Sequence, residues 1–365
     1  MRTLIALLLA LTGALAAEPE RILVVGTNTP ADAAAVNAAI AASPEGSEVV
    51  FRGKFLLTDT IRLRAGRSYA GESRAGTVFR QADGAKLPAL VASDTWLDNT
   101  TWTGSPMAIR RLTLDGNAKG NPEATTAGLV LRAWLSVAED LHITGMGSDG
   151  LRLTSLSANG TALRNSQVNG RIADCFIEHS GRHGIYVEDP GNSVTDWIVR
   201  DNWIASSGAD GLHLDNAAGW MIERNHIYGV PHHAIWAHRC FATSICDNYI
   251  EGFGETAEAG TWCGIGATLQ GDAATTITGN RIFGFGGEKQ EASAYRYLSL
   301  SVNYGSALAS VTGNVIRGAG TPRGIGLFYG VGNKPGLTVV SSGNAVDKVA
   351  RPTQFEERVV VSAGL

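Results

Sequence analysis

One short pattern recurs at a fixed phase along the second half of the chain: an asparagine, any residue, and then a β-branched apolar residue. The units begin at Asn202, Asn225, Asn248, Asn280, Asn314 and Asn344, and Cys175 begins a related unit with cysteine in place of asparagine. The intervals are 27, 23 and 23 residues and then lengthen to between 30 and 34. A repeat of this length indicates stacked supersecondary units, each of which buries its apolar face only against its neighbours.

A second pattern runs in register with the first. Each asparagine unit is followed by a loop and by a segment in which apolar and variable residues alternate, the period of a half-buried strand. These segments begin at Asp149, His183, Asp210, His233 and Cys263. Each repeat therefore carries at least two short strands. An asparagine at each corner can hydrogen-bond to the coils above and below, and asparagine also tolerates left-handed backbone.

The two patterns together resemble the right-handed parallel β-helix of the pectate-lyase-like superfamily, whose coils have this length and carry an asparagine ladder. The resemblance extends over roughly Thr27 to Val346. It implies an all-β fold: a right-handed, single-stranded parallel β-helix, or solenoid, with an Asn ladder and an N-terminal capping helix. It is specific for the fold and leaves the reaction open.

The N-terminal region agrees with this expectation. Thr29 to Asp32 predicts a helix start with proline in the first position and an acid in the first turn, and an alanine-rich run continues to Ala42. Ser43 and Pro44 end the helix. Short strands separated by glycine are predicted at 49–51, 55–57, 60–63 and 77–79.

Residues 1–16 are interpreted as a signal peptide, because a basic start precedes a short apolar run and a small-x-small cleavage site. This predicts a secreted or periplasmic protein, and no later segment is apolar enough for membrane insertion. Residues 17–365 are interpreted as one β-helix domain, with an N-terminal cap at about 27–48 and a C-terminal cap at about 347–365. Export permits disulfides, and Cys240 and Cys246 are close enough in sequence to bridge a corner.

The overall charge of the chain limits the classes of molecule that it is expected to bind. The formal net charge is only −4, which argues against nucleic acid as the main partner. The 45 glycines agree with a chain that has many corners and few helices. The oligomeric state is left open.

Candidate functional residues emerge when the central strands are aligned. Alternation places Tyr186, His213 and Trp236 in one outward column, which Arg152 extends. Glu188, Asp215 and His238 form a second column, and Asp189 and Arg239 follow at the corner. Neighbouring strands lie about 4.8 Å apart, so these side chains form one solvent-facing patch. Each residue alone is usually a solvated surface group, but the cluster predicts a site.

A pair of acids beside aromatic rings suits glycoside hydrolysis. Glu188 and Asp215 are the candidate acid and nucleophile or base, and like charges at that distance should raise the pKa of one of them. His213 and His238 would orient the acids as further catalytic residues. The substrate-binding candidates are Tyr186, Trp236, Arg152, Arg239 and Asp189. The sequence thus predicts an enzyme that cleaves a poly- or oligosaccharide.

Two alternatives remain. A polysaccharide lyase or uronate epimerase would use Arg152 or Arg239 to neutralise a uronate and Tyr186 or His213 to remove a proton. The Asp-Pro-His-Asp motif of mannuronan epimerases and the motifs of polygalacturonases do not occur, so no catalytic residue is carried over from either. The third interpretation is a non-catalytic glycan-binding or structural solenoid.

No cofactor is expected. His183, Asp210 and His233 share a column that could hold Zn²⁺, whereas Ca²⁺ would prefer a denser group of acids. Most other tryptophans are interpreted as packing residues or loop anchors: Trp96, Trp102, Trp134, Trp197, Trp203, Trp220 and Trp262.

Overall fold

A computed structural model describes residues 19–271, 273–285 and 288–364 of the protein. The predicted signal peptide, residues 1–16, lies outside these residues. Among the described residues, no helix has the length and apolar composition needed to cross a membrane.

The chain winds as a right-handed parallel β-helix, the fold predicted from the repeat. Each coil adds one short strand to each of three parallel sheets, which hold 13, 11 and 11 strands within the described ranges. Strand pairing is parallel from coil to coil, so residues at equivalent positions lie above one another. The three sheets enclose a single apolar interior.

The strands of each sheet follow in chain order. The first sheet contains Arg21–Val25, Glu48–Arg52, Ser68–Gly71, Ala108–Arg110, Val137–Glu139, Arg171–Ala173, Ile198–Arg200, Met221–Glu223, Ser244–Cys246, Ala274–Thr278, Ser306–Thr312, Gly336–Ser342 and Val359–Ser362. The second contains Lys54–Leu57, Val78–Gln81, Thr113–Asp115, His142–Thr144, Phe176–Glu178, Trp203–Ala205, His226–Tyr228, Tyr249–Glu251, Arg281–Phe283, Val315–Arg317 and Ala345–Asp347. The third contains Ile61–Leu63, Ala89–Ser93, Ala127–Leu131, Leu151–Thr154, Ile185–Glu188, Leu212–Leu214, Ile235–Cys240, Thr261–Gln270, Ala294–Tyr304, Gly324–Tyr329 and Arg351–Phe355. Gln167–Val168 and Val194–Thr195 form a separate pair.

The repeating asparagines are stacked and hydrogen-bonded between the first and second sheets. From Asn202 to Asn344, each Nδ2 donates to the Oδ1 of the next asparagine at 2.9–3.0 Å. The same Oδ1 accepts the backbone N–H of the preceding asparagine. Cys175 begins the row, and its backbone N–H donates to Asn202 Oδ1 at 3.0 Å. The stack therefore satisfies buried polar groups at every coil.

The left-handed residue at each of these corners is the one before the asparagine. Asp201, Arg224 and Asp247 have φ values of 56°, 55° and 57°. The asparagines are thus selected by the hydrogen bonds of their side chains, and their tolerance of left-handed backbone is not used. Later corners place glycine at the left-handed position, which removes the steric penalty.

The chain begins and ends differently from its regular coils. The helix Asp32–Ala42 packs Ala33, Val36 and Ile40 onto the interior. It starts at Asp32, later than predicted, and the Asp32 carboxylate accepts the backbone N–H groups of Thr27, Thr29 and Leu56. A short helix, Asp94–Leu97, was not anticipated. At the other end, Arg351–Phe355 and Val359–Ser362 pair as further parallel strands and continue the coil.

The structure decides two points about individual side chains that the sequence left open. Cys240 and Cys246 are free thiols, as are the other two cysteines, all of which lie within the described part of the chain. Trp197 and Trp220 are fully buried, as expected of packing residues, but Trp203 is 47% exposed. Trp203 occupies an outward position of its strand, and its neighbour Ile204 fills the interior instead.

Asn248→Ala should lower the free energy of unfolding by about 2 kcal/mol or more, because it leaves two buried donors of Asn225 without an acceptor. Asn344→Ala is the matched control, since Asn344 ends the row and is only half-buried, so water can replace it. Denaturant titration of both variants measures the difference. An equal loss in the two would contradict a stabilising role for the continuous row.

Candidate active site

The third sheet brings the predicted residues together. Arg152 pairs with Tyr186, Tyr186 with His213, and His213 with Trp236 on successive strands, as the sequence alignment predicted. The alternate residues of these strands, such as Val187 and Leu214, are fully buried. The outward side chains are therefore held on a rigid surface by the packing beneath them.

Asp215 lies at the centre of the patch. Its Oδ2 accepts the Tyr186 hydroxyl at 3.1 Å and the backbone N–H of Asp189 at 3.3 Å, and its Oδ1 lies 3.4 Å from His213 Nε2. Burial would raise the pKa of Asp215, but the His213 imidazolium and these hydrogen bonds outweigh burial and lower it. The carboxylate is therefore ionised at neutral pH.

His213 is held between two carboxylates. Its Nδ1 lies 2.6 Å from Asp210 Oδ2, on the side opposite Asp215. Burial alone would lower the pKa of His213, but the hydrogen bonds to Asp210 and Asp215 have the larger effect and raise it to about 9. His213 thus carries a positive charge at neutral pH, and both of its nitrogens are donors.

Tyr186 is the neutral partner of Asp215. Burial, followed by the negative charge of Asp215, raises the pKa of the phenol well above its usual range. The Arg182 guanidinium lies 4.4 Å from the centre of the tyrosine ring, and that of Arg152 lies 5.9 Å away. Cation–π contacts and a hydrogen bond therefore fix the ring of Tyr186.

Asp149 and Arg182 belong to this network but were not among the predicted site residues. Asp149 is fully buried and binds both arginines, with Arg152 Nε at 2.8 Å and Arg182 Nη2 at 2.6 Å. The signal in the sequence was the column at the start of the strands, in which Asp149, His183, Asp210 and His233 alternate acid with imidazole.

The imidazoles of that column are neutral. Nδ1 of His183 accepts the backbone N–H of Asp210 at 3.3 Å, and Nδ1 of His233 accepts that of Cys263 at 3.0 Å. Burial lowers the pKa of both His183 and His233 to about 4. Each ring therefore carries its proton on Nε2.

The grouping closest to a metal site differs from the predicted one. His183, Asp210 and His213 have ligand atoms within 4.8 Å of one another, whereas the sequence pointed to His233 as the third member. His213 Nδ1 already binds Asp210, and His183 Nδ1 already accepts a backbone N–H. A cation bound through these nitrogens would have to replace both contacts.

Glu188 occupies the second column beside Asp215. Its Oε2 accepts the Thr154 hydroxyl at 2.8 Å, and Thr154 pairs with Glu188 across the strands. The expectation that two neighbouring acids raise the pKa of one of them is not met at Asp215. The reason is that His213 supplies a compensating positive charge.

His238 and Trp236 interact with each other. Trp236 Nε1 donates to His238 Nε2, and His238 Nδ1 lies 3.2 Å from Thr268 Oγ1. Among the described residues, the side-chain hydrogen bonds of His238 are thus made to Trp236 and Thr268, and not to the acids it was expected to orient. The Trp236 ring stacks on His233 at 4.2 Å and lies against Gly266, so protein covers one face of the ring.

The two corner residues take other roles. Asp189 is only 1% exposed, and its carboxylate accepts the backbone N–H groups of Ser193 and Val194. Asp189 is thus a buried residue that shapes the turn, and its low exposure argues against the predicted contact with substrate. Arg239 has a left-handed φ of 56° and lies where the strand register shifts. It leaves the regular column for that reason.

The sequence matches the family model described as "Right handed beta helix region" at residues 136–288 and 190–349, together more than half of the chain. The protein belongs to this family. Comparison with curated protein sequences gives no match.

Several solved structures share the fold. The Dettilon tailspike protein has a TM-score of 0.58 at 15% identity, over 89% of this chain and 68% of its own. An alginate lyase from Paenibacillus sp. strain FPU-7 has a TM-score of 0.56 at 13% identity, over 93% and 99%. The enzymatically active domain of bacteriophage CBA120 tailspike protein 2 has a TM-score of 0.57 at 13% identity, over 94% and 47%. At these identities the likeness shows the fold alone.

The charge of His213 can be tested by its titration. An NMR pH titration should show His213 charged at pH 7 and losing its proton near pH 9, because two carboxylates hold it. Because the pKa of His213 is higher in the folded than in the unfolded protein, its protonation stabilises the fold. This contribution is fully present below the unfolded-state pKa, about 6.5, and is lost as the pH rises through about 9.

Asp210→Asn should move the titration midpoint of His213 to lower pH. The His213 resonance is assigned as the one that is absent from the spectrum of His213→Gln. A His213 midpoint near 6.5 in the unmodified protein would show that the carboxylates do not hold the charge.

Proposed function

We propose that this protein is a carbohydrate-active enzyme that binds a poly- or oligosaccharide across the third sheet and cleaves it by hydrolysis. The observation that carries the proposal is Asp215, an ionised carboxylate fixed by Tyr186 and His213 on a half-exposed face. Structural neighbours whose names include an alginate lyase and an enzymatically active tailspike domain support a carbohydrate substrate.

In the proposed reaction, Asp215 acts as the base that activates water or as the nucleophile that attacks the sugar. Its lowered pKa suits either role, because both require the ionised form. Glu188, on the adjacent coil, supplies the proton to the leaving oxygen. The positive charge of His213 stabilises the ionised Asp215 and excludes His213 itself as the base.

A second candidate is β-elimination of a uronate. It is favoured by one observation: the neutral phenol of Tyr186 touches the ionised Asp215, with Arg152 and Arg182 on its ring. In this case Asp215 takes the proton next to the carboxyl group and Tyr186 protonates the leaving oxygen. An arginine would neutralise the uronate.

Asp215→Asn should lower the rate of glycan cleavage by at least about 100-fold, because it removes the acid–base group with almost no change in shape. Glu188→Gln should act similarly. The matched control is Asp347→Asn, an exposed aspartate on the second sheet. The measurement is product release from a polysaccharide panel, followed by mass analysis. If Asp215→Asn and Glu188→Gln both retain full activity, the assignment to this pair is wrong.

Tyr186→Phe separates the two reactions. Hydrolysis should fall only about tenfold, since Asp215 loses one hydrogen bond. Elimination should fall by at least about 100-fold, since the proton donor is lost. The products give a second test: hydrolysis adds one water to their mass, and elimination gives an unsaturated uronide that absorbs ultraviolet light. Binding with no turnover on any glycan would support the non-catalytic solenoid.

Export is part of the proposal. The sequence of residues 1–16 supports it, and N-terminal sequencing of the mature protein from its native host would test the expected cleavage after Ala16 or Ala17.

A further inference from the structure

The second sheet carries a row of aromatic side chains on its outer surface. His142, Phe176, Trp203, His226 and Tyr249 are direct partners on successive strands. Their ring centres follow at 5.0, 6.0, 4.6 and 4.6 Å. The rings therefore form one continuous row of contacts along the axis of the β-helix, parallel between His142 and Phe176 and edge-on between Phe176 and Trp203.

Neighbouring rings widen and extend the row. Tyr228 lies 5.9 Å from Trp203, Phe283 lies 5.6 Å from Tyr249, and Phe285 stacks on Phe283 at 5.7 Å. We refer to the whole set as the aromatic belt: His142, Phe176, Trp203, His226, Tyr228, Tyr249, Phe283 and Phe285. It crosses the strands from His142–Thr144 to Arg281–Phe283, a length of about 24 Å at the usual strand spacing.

The aromatic belt is not part of the interior. The same strands fill the interior with isoleucines that are fully buried: Ile143, Ile177, Ile204, Ile227, Ile250 and Ile282. Trp203 is 47% exposed and Phe285 is 59% exposed. A contiguous apolar surface in contact with water marks an interaction site more often than it marks a packing requirement.

Acids and imidazoles are interleaved with the rings. His142 Nε2 lies 2.9 Å from Glu178 Oε1, and His226 Nε2 lies 3.2 Å from Glu251 Oε2. The Tyr249 hydroxyl also donates to Glu251. The surface thus offers flat rings and hydrogen-bonding groups side by side along its length.

Flat rings beside hydrogen-bonding groups favour a carbohydrate as the ligand of this surface. A sugar presents C–H faces that stack on rings and hydroxyl groups that bind carboxylates and imidazoles. An apolar protein surface would cover the Glu178–His142 and Glu251–His226 pairs without offering them further hydrogen bonds, and the two acids repel nucleic acid phosphates. The strand spacing of about 4.8 Å is also close to the length of one pyranose unit in an extended chain.

We propose that the aromatic belt is a second glycan-binding surface, which holds an extended polysaccharide chain parallel to the axis of the β-helix. Two concave regions border the belt. One, of about 450 Å³, lies beside Phe176 and Trp203 and is also lined by Arg74. The other, of about 580 Å³, lies at the Phe285 end and is also lined by Arg317. The belt lies on a different sheet from Asp215, and binding there involves no bond cleavage, so it does not depend on the proposed reaction.

The test measures binding without turnover. The full chain carrying Asp215→Asn is run in native gels that contain hydroxyethyl cellulose, xylan, alginate or polygalacturonate. Retardation by at least one of these polymers is expected. Adding Trp203→Ala or Tyr249→Ala should weaken that binding by at least about tenfold, the loss typical of an aromatic anchor. Trp203→Phe should retain part of the affinity, because it keeps a ring.

Trp102→Ala is the matched control, since Trp102 is 58% exposed in a loop outside the belt. The affinity of this variant for the polymer should stay within about twofold of that of the parent protein. Thermal unfolding of each variant checks that the fold is kept. Unchanged binding in both belt variants would overturn the proposal, as would the absence of binding to all four polymers. If the protein self-associates in sedimentation, and Trp203→Ala abolishes this association without loss of glycan binding, the belt is instead a contact between copies of the chain. Asp215-dependent cleavage is measured separately, so the two proposals can fail independently.

Discussion

The register between successive coils is the constraint on which the rest of the structure depends. Parallel pairing places each residue over its equivalent in the next coil, and the asparagine row from Asn202 to Asn344 strengthens this register with buried side-chain hydrogen bonds. A shift of one residue would turn the apolar side chains outward and leave the asparagines without their hydrogen-bond partners. Because the register holds, outward side chains from distant parts of the sequence become neighbours at the strand spacing.

On the third sheet, this stacking produces an alternation of charge. Asp149 binds Arg152 and Arg182, and Asp210 and Asp215 hold the imidazolium of His213. Each charge, whether fully buried as at Asp149 or half-buried as at Asp215, is compensated by its neighbour, so the network tolerates its low exposure. This compensation keeps Asp215 ionised, whereas burial and the negative charge of Asp215 raise the pKa of Tyr186 and keep its phenol neutral. These are the protonation states that the proposed chemistry requires.

The second sheet shows the same geometry with different chemistry. Its outward positions carry aromatic rings with acids between them, and Trp203 is exposed there although most tryptophans outside the candidate site were interpreted as packing residues or loop anchors. Composition alone favours burial of a tryptophan, but its place in the strand decides the outcome. A scaffold with three faces can thus carry two surfaces of different character, one rich in titratable groups and one rich in aromatic rings.

The sequence by itself determined the fold and the column of Arg152, Tyr186, His213 and Trp236, because both follow from periodicity, and periodicity fixes which residues pair and which face outward. Only the tertiary structure showed that Asp189 is buried, that His238 binds Trp236, and that Asp149 anchors two arginines. These features depend on rotamers, on left-handed corners such as Arg239, and on local burial. None of these is a periodic property of the chain, so the pattern that revealed the β-helix could not reveal them.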